Sequence, residues 1–304
     1  MVKYVKREDL EVAKYDDCIE KAIQSRVYAF SWYLDIVADN WGVLVLEDYK
    51  AVMPICWRRK YGIKYAYPPF WILELGLFST DEDVDFQQFY KVLLSKFKFV
   101  ESKLNIDNSI QHDSSFLVNK QMQVLDLNRD ANKILEGFRK DRKKDLHKAA
   151  KAELQVKWND DPKKLIQLFK NNVGQRTPFI VEKDYSNLLQ LLTICIAKKV
   201  GEVLSIYNDN NDLVASGYFL KHKNVVTILV SSTDFNFRKN GENTFLIHTA
   251  IQKYHNKYHF FNFGGSSLKS IAKYFLSFGS ETKEYQQIKY NKLLAFVKFL
   301  SISA

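Results

Sequence analysis

The spacing of apolar positions changes repeatedly along this chain, and each change marks a new element. Residues 16–39 read as helical, with Ile19, Ala22, Ile23, Tyr28 and Trp32 on the apolar positions. Trp41–Leu46 and Ala51–Trp57 are short apolar runs joined by Glu47-Asp48-Tyr49-Lys50, the pattern of a β-hairpin. Tyr65–Phe78 is aromatic-rich and is interrupted by Pro68-Pro69. Phe86, Phe89, Tyr90, Leu93, Leu94 and Phe97 recur every three or four residues and predict a helix over 84–104. Met122–Leu127 reads as a strand.

A second cycle follows. It opens with a strongly basic helix over 131–152, a strand at Leu154–Trp158 and a helix from Pro162, where Pro suits the first turn. A further helix covers Tyr185–Lys199. Glu202–Tyr207, Leu213–Lys221 and Asn224–Ser231 then form three antiparallel strands with polar turns between them. Next come the loop Asp234–Glu242, a helix Thr244–Tyr258, a strand Phe260–Phe263, a Gly-Gly turn, a helix Leu268–Phe278 and final strands within 285–297. Each half therefore repeats one plan of helices, an antiparallel meander, then helix and strand. The expected fold class is α+β (mixed α/β), as two domains, 1–127 and 128–304, each a mostly antiparallel sheet flanked by helices. Two unrelated α/β pieces are the alternative.

Charge divides the halves. Residues 1–130 carry 17 basic and 20 acidic side chains, whereas 131–157 carry 9 and 4, and 158–304 carry 19 and 11. The whole net charge of +10 therefore arises after residue 130. This points to an anionic partner for the second half: nucleic acid, a phosphate-rich cofactor or an anionic membrane surface. A dispersed solubility charge is the alternative. A hydrophobic content of 46% with 22 Phe and 17 Tyr excludes a mostly disordered chain. Cys18, Cys56 and Cys195 are few and widely spaced, so a reducing, cytoplasmic setting is expected. The N-terminus lacks the apolar core of a signal peptide. The longest apolar stretch, Leu188 to Ala197, is interrupted by Gln190 and Thr193, so no transmembrane helix is expected, and peripheral membrane contact stays open.

The strongest chemical signal is Asp234-Phe-Asn-Phe-Arg-Lys-Asn-Gly-Glu-Asn-Thr-Phe-Leu, between a strand and a helix. Gly241 permits positive φ, Arg238 and Lys239 add positive charge, and the helix start offers free N–H groups: a seat for a pyrophosphate or other anion. A polar loop with an ordinary N-cap at Asn243 or Thr244 is the alternative. On the basic helix, Ile134, Leu135, Phe138, Leu146 and Ala149 define an apolar arc with Arg142 at its middle. A cation there needs a carboxylate or a bound anion, unless it lies flat with its head in water. Arg142 is thus a candidate ligand or interdomain anchor. Gly264 and Gly265 either line a cleft or make a tight turn with Ser266 or Ser267 as N-cap. His255 and His259 straddle a helix end with no third ligand, so no metal is expected. Neither a Walker-type loop nor Gly-x-Ser-x-Gly is present.

The order of these elements resembles the GNAT N-acyltransferases, whose Gln/Arg-x-x-Gly-x-Gly/Ala signature is matched by Arg238, Gly241 and Asn243, with Asn243 departing from the usual small residue. The doubled plan resembles the tandem relatives: Fem-type aminoacyltransferases and BioF2-like acyltransferases. The basic helix from Phe138 and the stretch from Phe261 through Gly264, Gly265 to Phe278-Gly279 are similar to theirs. The likeness covers about residues 130–285 by motif and the first half by plan alone. It implies an acyltransferase moving an acyl group from acyl-CoA or acetyl-CoA to an amine. The donor would be held in the second domain by Ser231, Arg238, Lys239, Asn240, Gly241, Glu242 and Asn243. Arg142, Gly264 and Gly265 would contact substrate. Backbone N–H groups near Ser231–Ser232 would meet the oxyanion, Tyr274 would act as general acid and Asp234 as base. The acceptor would be a small-molecule amine or a lipid or peptidoglycan precursor, on the N-terminal side. The alternatives are a Fem-like enzyme using aminoacyl-tRNA, and an inactive GNAT pair that only binds.

Overall fold

The computed structural model describes residues 1–110, 115–265 and 268–293. The chain divides into two compact units, Met1–Lys120 with the chain from Glu284 onward, and Gln121–Lys283.

The first unit runs β1 (Val2–Lys6), α1 (Val12–Lys21), α2 (Ser31–Val37), β2 (Asn40–Leu46), β3 (Ala51–Lys60), β4 (Ile63–Ala66), β5 (Phe78–Ser79), α3 (Phe86–Lys96), β6 (Phe99–Lys103) and the start of β7 (Leu117–Asp126). The second holds the rest of β7, then α4 (Ala131–Glu136), α5 (Lys140–Lys151), β8 (Gln155–Trp158), α6 (Pro162–Asn171), α7 (Glu182–Ala197), β9 (Gly201–Tyr207), β10 (Leu213–His222), β11 (Val225–Thr233), α8 (Glu242–Tyr254), β12 (Phe260–Gly265) and α9 (Lys269–Leu276). The last strand, β13 (Glu281–Asn291), begins in the second unit and ends in the first.

Both units are built on the expected mixed α/β plan. In the first, strands pair in the order β1-β2-β3-β4-β6-β13, antiparallel except for the single parallel step β4–β6. In the second the order is β8-β9-β10-β11-β12-β7, with one parallel step at β11–β12. Each parallel step is crossed by one helix, α3 or α8, as a parallel connection requires. The outermost strands are exchanged in chain order. β7 follows β6 yet pairs with β12, from Met122↔Gly265 to Asp126↔Phe260. β13 follows α9 and pairs with β6, from Gln287↔Lys103 to Asn291↔Phe99. The compact units thus have two crossings, at 120/121 and 283/284, where the sequence suggested one break after 127.

Each sheet packs helices on its core side. Phe89, Leu93 and Phe97 from the α3 region bury against Leu44, Met53 and Ile55. Leu246, Ile247, Ala250 and Ile251 of α8 bury against Leu204, Ile206, Phe219 and Phe261.

Several elements differ from the expectation. The helix expected over 84–104 ends at Lys96, and Phe99–Lys103 is strand because β13 supplies its partner. The expected helix over 16–39 breaks into α1 and α2. Between them Arg26 is tied to Glu74 at 2.5 Å and to Asp107 at 3.0 Å. The basic helix over 131–152 is interrupted at Gly137–Arg139, where the Arg139 N–H leaves the helix ladder to bond Ser277 O at 2.9 Å. This break rotates the arc: Ile134, Phe138 and Ala149 are buried, but Leu135 is exposed. The N-cap proposed at Ser266 or Ser267, and the end of the final strand segment beyond 293, lie outside the described residues. Among the described residues no helix is long and apolar enough to cross a membrane.

Candidate functional site

The second unit carries an open cleft of about 590 Å³. Its walls are the end of β11 (Ser231, Ser232, Thr233), the loop and first turn of α8 (Arg238, Gly241, Glu242, Asn243, Thr244), Arg142 and Asp145 of α5, and Ser270, Ile271, Tyr274 and Phe275 of α9. It exists because β11 and β12 part. Their parallel pairing runs only from Val225↔Phe260 to Thr227↔Asn262, while β11 continues to Thr233 against β10 alone. A bulge on β11 opposite Tyr218 and Phe219, where the register slips past Leu229, marks the point of parting.

Gly241 brings the cleft's two halves together. It adopts φ +79° and lies so near α5 that a Cβ there would fall 2.5 Å from the Asp145 carbonyl oxygen. This close approach lets α5 and α8 exchange side-chain bonds. Arg142 Nη1 donates to Thr244 Oγ1 at 2.8 Å and pairs with Asp145 Oδ2 at 2.9 Å. Thr244 Oγ1 also lies 3.0 Å from Asp145 Oδ2 and 3.3 Å from the Tyr274 hydroxyl. A threonine hydroxyl has one proton, and the carboxylate takes it. The Tyr274 hydroxyl therefore donates to Thr244 while accepting from Asn243 Nδ2 at 3.0 Å. The Arg142 guanidinium lies over the Tyr274 ring, 4.7 Å from its centroid, and its Nε is buried with no partner among the described residues.

Burial raises the Tyr274 hydroxyl above its ordinary pKa, partly offset by the Thr244 bond, Arg142 and Asn243. It is therefore protonated at neutral pH. Burial also raises the Glu242 carboxyl, and Asp145 adds to the rise against the backbone N–H groups that Glu242 accepts from. Arg238 lies over the Phe235 ring at 3.7 Å, and Arg176 lies over the same ring at 4.3 Å. Arg238 is lowered by partial desolvation and by Arg176, and Asp234 opposes that change.

Of the residues singled out in the sequence, Arg142, Ser231, Arg238, Gly241, Glu242, Asn243 and Tyr274 share this cleft. Lys239 and Asn240 lie exposed on the same loop outside its lining. Asp234 caps the loop, accepting from the Asn236 N–H at 2.8 Å, and is not in the lining. Gly264 is buried at φ +76°, its N–H bonded to Asn262 Oδ1 at 2.8 Å, and it too is outside the lining. Gly265 ends β12, paired with Met122 of β7. Asn243, the departure from the GNAT signature, is the residue that holds Tyr274. Asp145, Thr244, Phe235 and Arg176 were missed. Asp145 could have been found as the acid three residues beyond Arg142; the others carry no signal in sequence alone.

No family model and no curated protein matches the sequence. Solved structures do match. A crystal structure of FemX superposes with a TM-score of 0.63 at 10% identity over 99% of both chains. The C-terminal domain of a putative lysylphosphatidylglycerol synthetase from Agrobacterium fabrum gives 0.55 at 12% identity, over 95% of this chain and 94% of that one. A tandem GNAT protein from the clavulanic acid biosynthesis pathway gives 0.54 at 9%, over 94% and 98%. At these identities the likeness is one of fold. The chain has the fold of these solved structures, FemX and the tandem GNAT protein among them.

Proposed function

We propose that this protein is an acyltransferase that moves an acyl group from an activated donor to an amine, with the donor in the cleft of the second unit. The observation that carries this reading is the parting of β11 from β12 beside the Arg142–Asp145–Thr244–Tyr274 network. Where two parallel strands separate, β11 keeps an edge of backbone groups with no strand partner among the described residues. An extended acyl donor can lie along that edge, and N–H groups near Ser231 can meet a developing oxyanion. On this reading Tyr274, protonated at neutral pH, gives its proton to the leaving group when that group replaces Thr244 as its acceptor. Arg142 over its ring then stabilises the phenolate that remains. The acceptor amine must lose a proton in the same reaction. Asp145 is the carboxylate already joined to Tyr274 through Thr244.

The donor implied by the GNAT likeness is an acyl thioester such as acetyl-CoA, and the acceptor a small-molecule, lipid or peptidoglycan-precursor amine. A second donor, aminoacyl-tRNA, is favoured by the exposed basic face of α5, where Lys140, Lys144, Lys148 and Lys151 project. Calorimetry with acetyl-CoA, a long-chain acyl-CoA and aminoacyl-tRNA, followed by acyl transfer to amine acceptors, tests the reading. Transfer that falls steeply in Tyr274→Phe supports it. No binding and no transfer with any of the three donors overturns it.

A further inference from the structure

Glu242 is the first residue of α8, directly after the left-handed Gly241 that opens the helix. Such a turn is where an incoming anion is ordinarily received. In this chain the place is filled from within. The Glu242 carboxylate turns back onto its own loop and accepts from the Asn240 N–H with both oxygens, at 3.3 and 3.2 Å. It is 1% exposed, yet it lines the cleft beside Gly241 and Arg238. A pyrophosphate entering this loop would have to pull the carboxylate off the N–H groups or place its own charges beside it, and either course weakens binding.

We propose that Glu242 is a specificity-determining residue that closes the loop to pyrophosphate, so that the cleft prefers a donor whose carrier leaves these N–H groups alone. The inference rests on the cleft being the donor site. Asp145 of α5 acts directly on Glu242. Arg142 of α5, Tyr274 of α9 and Arg238 share its cleft, Lys239 lies on its own loop, and Lys148 of α5 reaches that loop through the Lys239 carbonyl at 3.5 Å. Burial and Asp145 both favour the neutral acid, so Glu242 takes up its proton at a higher pH than an exposed glutamate. Protonation removes the competing charge. Pyrophosphate binding by the native protein therefore tightens as pH falls, and binding takes up a proton.

The probe is dephospho-CoA, whose pyrophosphate diester keeps its charge from about pH 8 to about pH 5. Calorimetry on the full chain at the upper pH is expected to show Glu242→Gln binding it at least about tenfold more tightly than the native protein. The native affinity is expected to rise on acidification. The slope remaining in Glu242→Gln reports groups other than Glu242. Glu242→Ala is the second variant should the glutamine fail to fold, and the native pH series needs no variant at all. Variants that bind no more tightly than the native chain, or a native affinity that is flat with pH, overturn the proposal. The two readings fail separately. Improved dephospho-CoA binding with no acyl transfer from any donor leaves the exclusion of pyrophosphate by Glu242 standing, and removes the proposed activity together with any role of Glu242 in donor choice. Transfer without any gain in the variants does the reverse.

Discussion

Replacing Gly241 by alanine should damage the second unit by two separable routes. Gly241 sits at φ +79°, where an L-residue other than glycine costs roughly 1–2 kcal/mol. An added Cβ would also fall 2.5 Å from Asp145 O, 2.7 Å from Asp145 Cβ and 2.8 Å from Asp145 C. Two of these atoms are α5 backbone, so the helix must shift, and overpacking of this kind costs about 1–3 kcal/mol. The sum is roughly 2–5 kcal/mol, or a fall in melting temperature of about 5–15 °C for a unit of this size. Gly62→Ala supplies the control. Gly62 has φ +78° but a Cβ added there would meet no atom within 4 Å, so it reports the backbone cost alone. Thermal and urea unfolding of both variants measure the difference, which is the contact with Asp145. If Gly241→Ala costs no more than Gly62→Ala, the close packing of α5 on the loop, and with it the Arg142–Thr244 contact, is wrong.

Thr244→Val keeps the shape but removes the hydroxyl shared by Arg142, Asp145 and Tyr274; acyl transfer should fall roughly 10- to 100-fold, with a stability loss of about 1–3 kcal/mol from the groups left unpaired. Turnover and melting measured on one preparation check both. Arg26→Met leaves Glu74, 2% exposed, without its cation and should cost about 3–5 kcal/mol in urea unfolding. Asp160 is buried, and desolvation alone would raise its carboxyl; the bonds from Tyr207 and Lys157 outweigh this and lower it to about 2. A depressed carboxyl stabilises above its unfolded value and loses that contribution as pH falls toward the folded one. Asp160→Asn should therefore cost about 2 kcal/mol near neutral pH, and its deficit should shrink between about pH 4 and pH 2. A deficit that persists unchanged at low pH would refute the assignment.

How far the sequence alone reached depended on whether an element's partner lay nearby in the chain. The meander β9–β11 and the hairpin β2–β3 were legible because alternation and short polar turns are local signals. Phe99–Lys103 was misread because Phe97, Val100 and Leu104 sustain a helical spacing, and only pairing with β13 makes the segment a strand. The break at Gly137–Arg139 was hidden for the same reason: its cause is Ser277 O, on a distant helix end. At the site, Arg142, Arg238, Gly241 and Tyr274 could be named from charge, glycine and resemblance. The bonds that join them could not, because Asp145 and Thr244 meet across 99 positions of sequence. Glu242 could be placed on the loop, but no pattern in sequence says that its carboxylate turns inward.

The exchange of outer strands has a consequence for how the chain is made. The second unit is contiguous from Gln121 to Lys283, so it can finish folding as soon as it has left the ribosome. The first unit begins earlier and closes later, because β6 waits for residues 287–291 to emerge. Throughout that interval the Phe99–Lys103 edge is open, and β7, the next strand made, is the nearest segment that could pair with it. Synthesis thus offers β6 a local partner before its native one exists, and correct folding requires that β12 claim β7 first. Pairing Phe99 with Asn291 closes a long stretch of chain, so loop entropy sets the N-terminal unit's completion late although its residues are translated first.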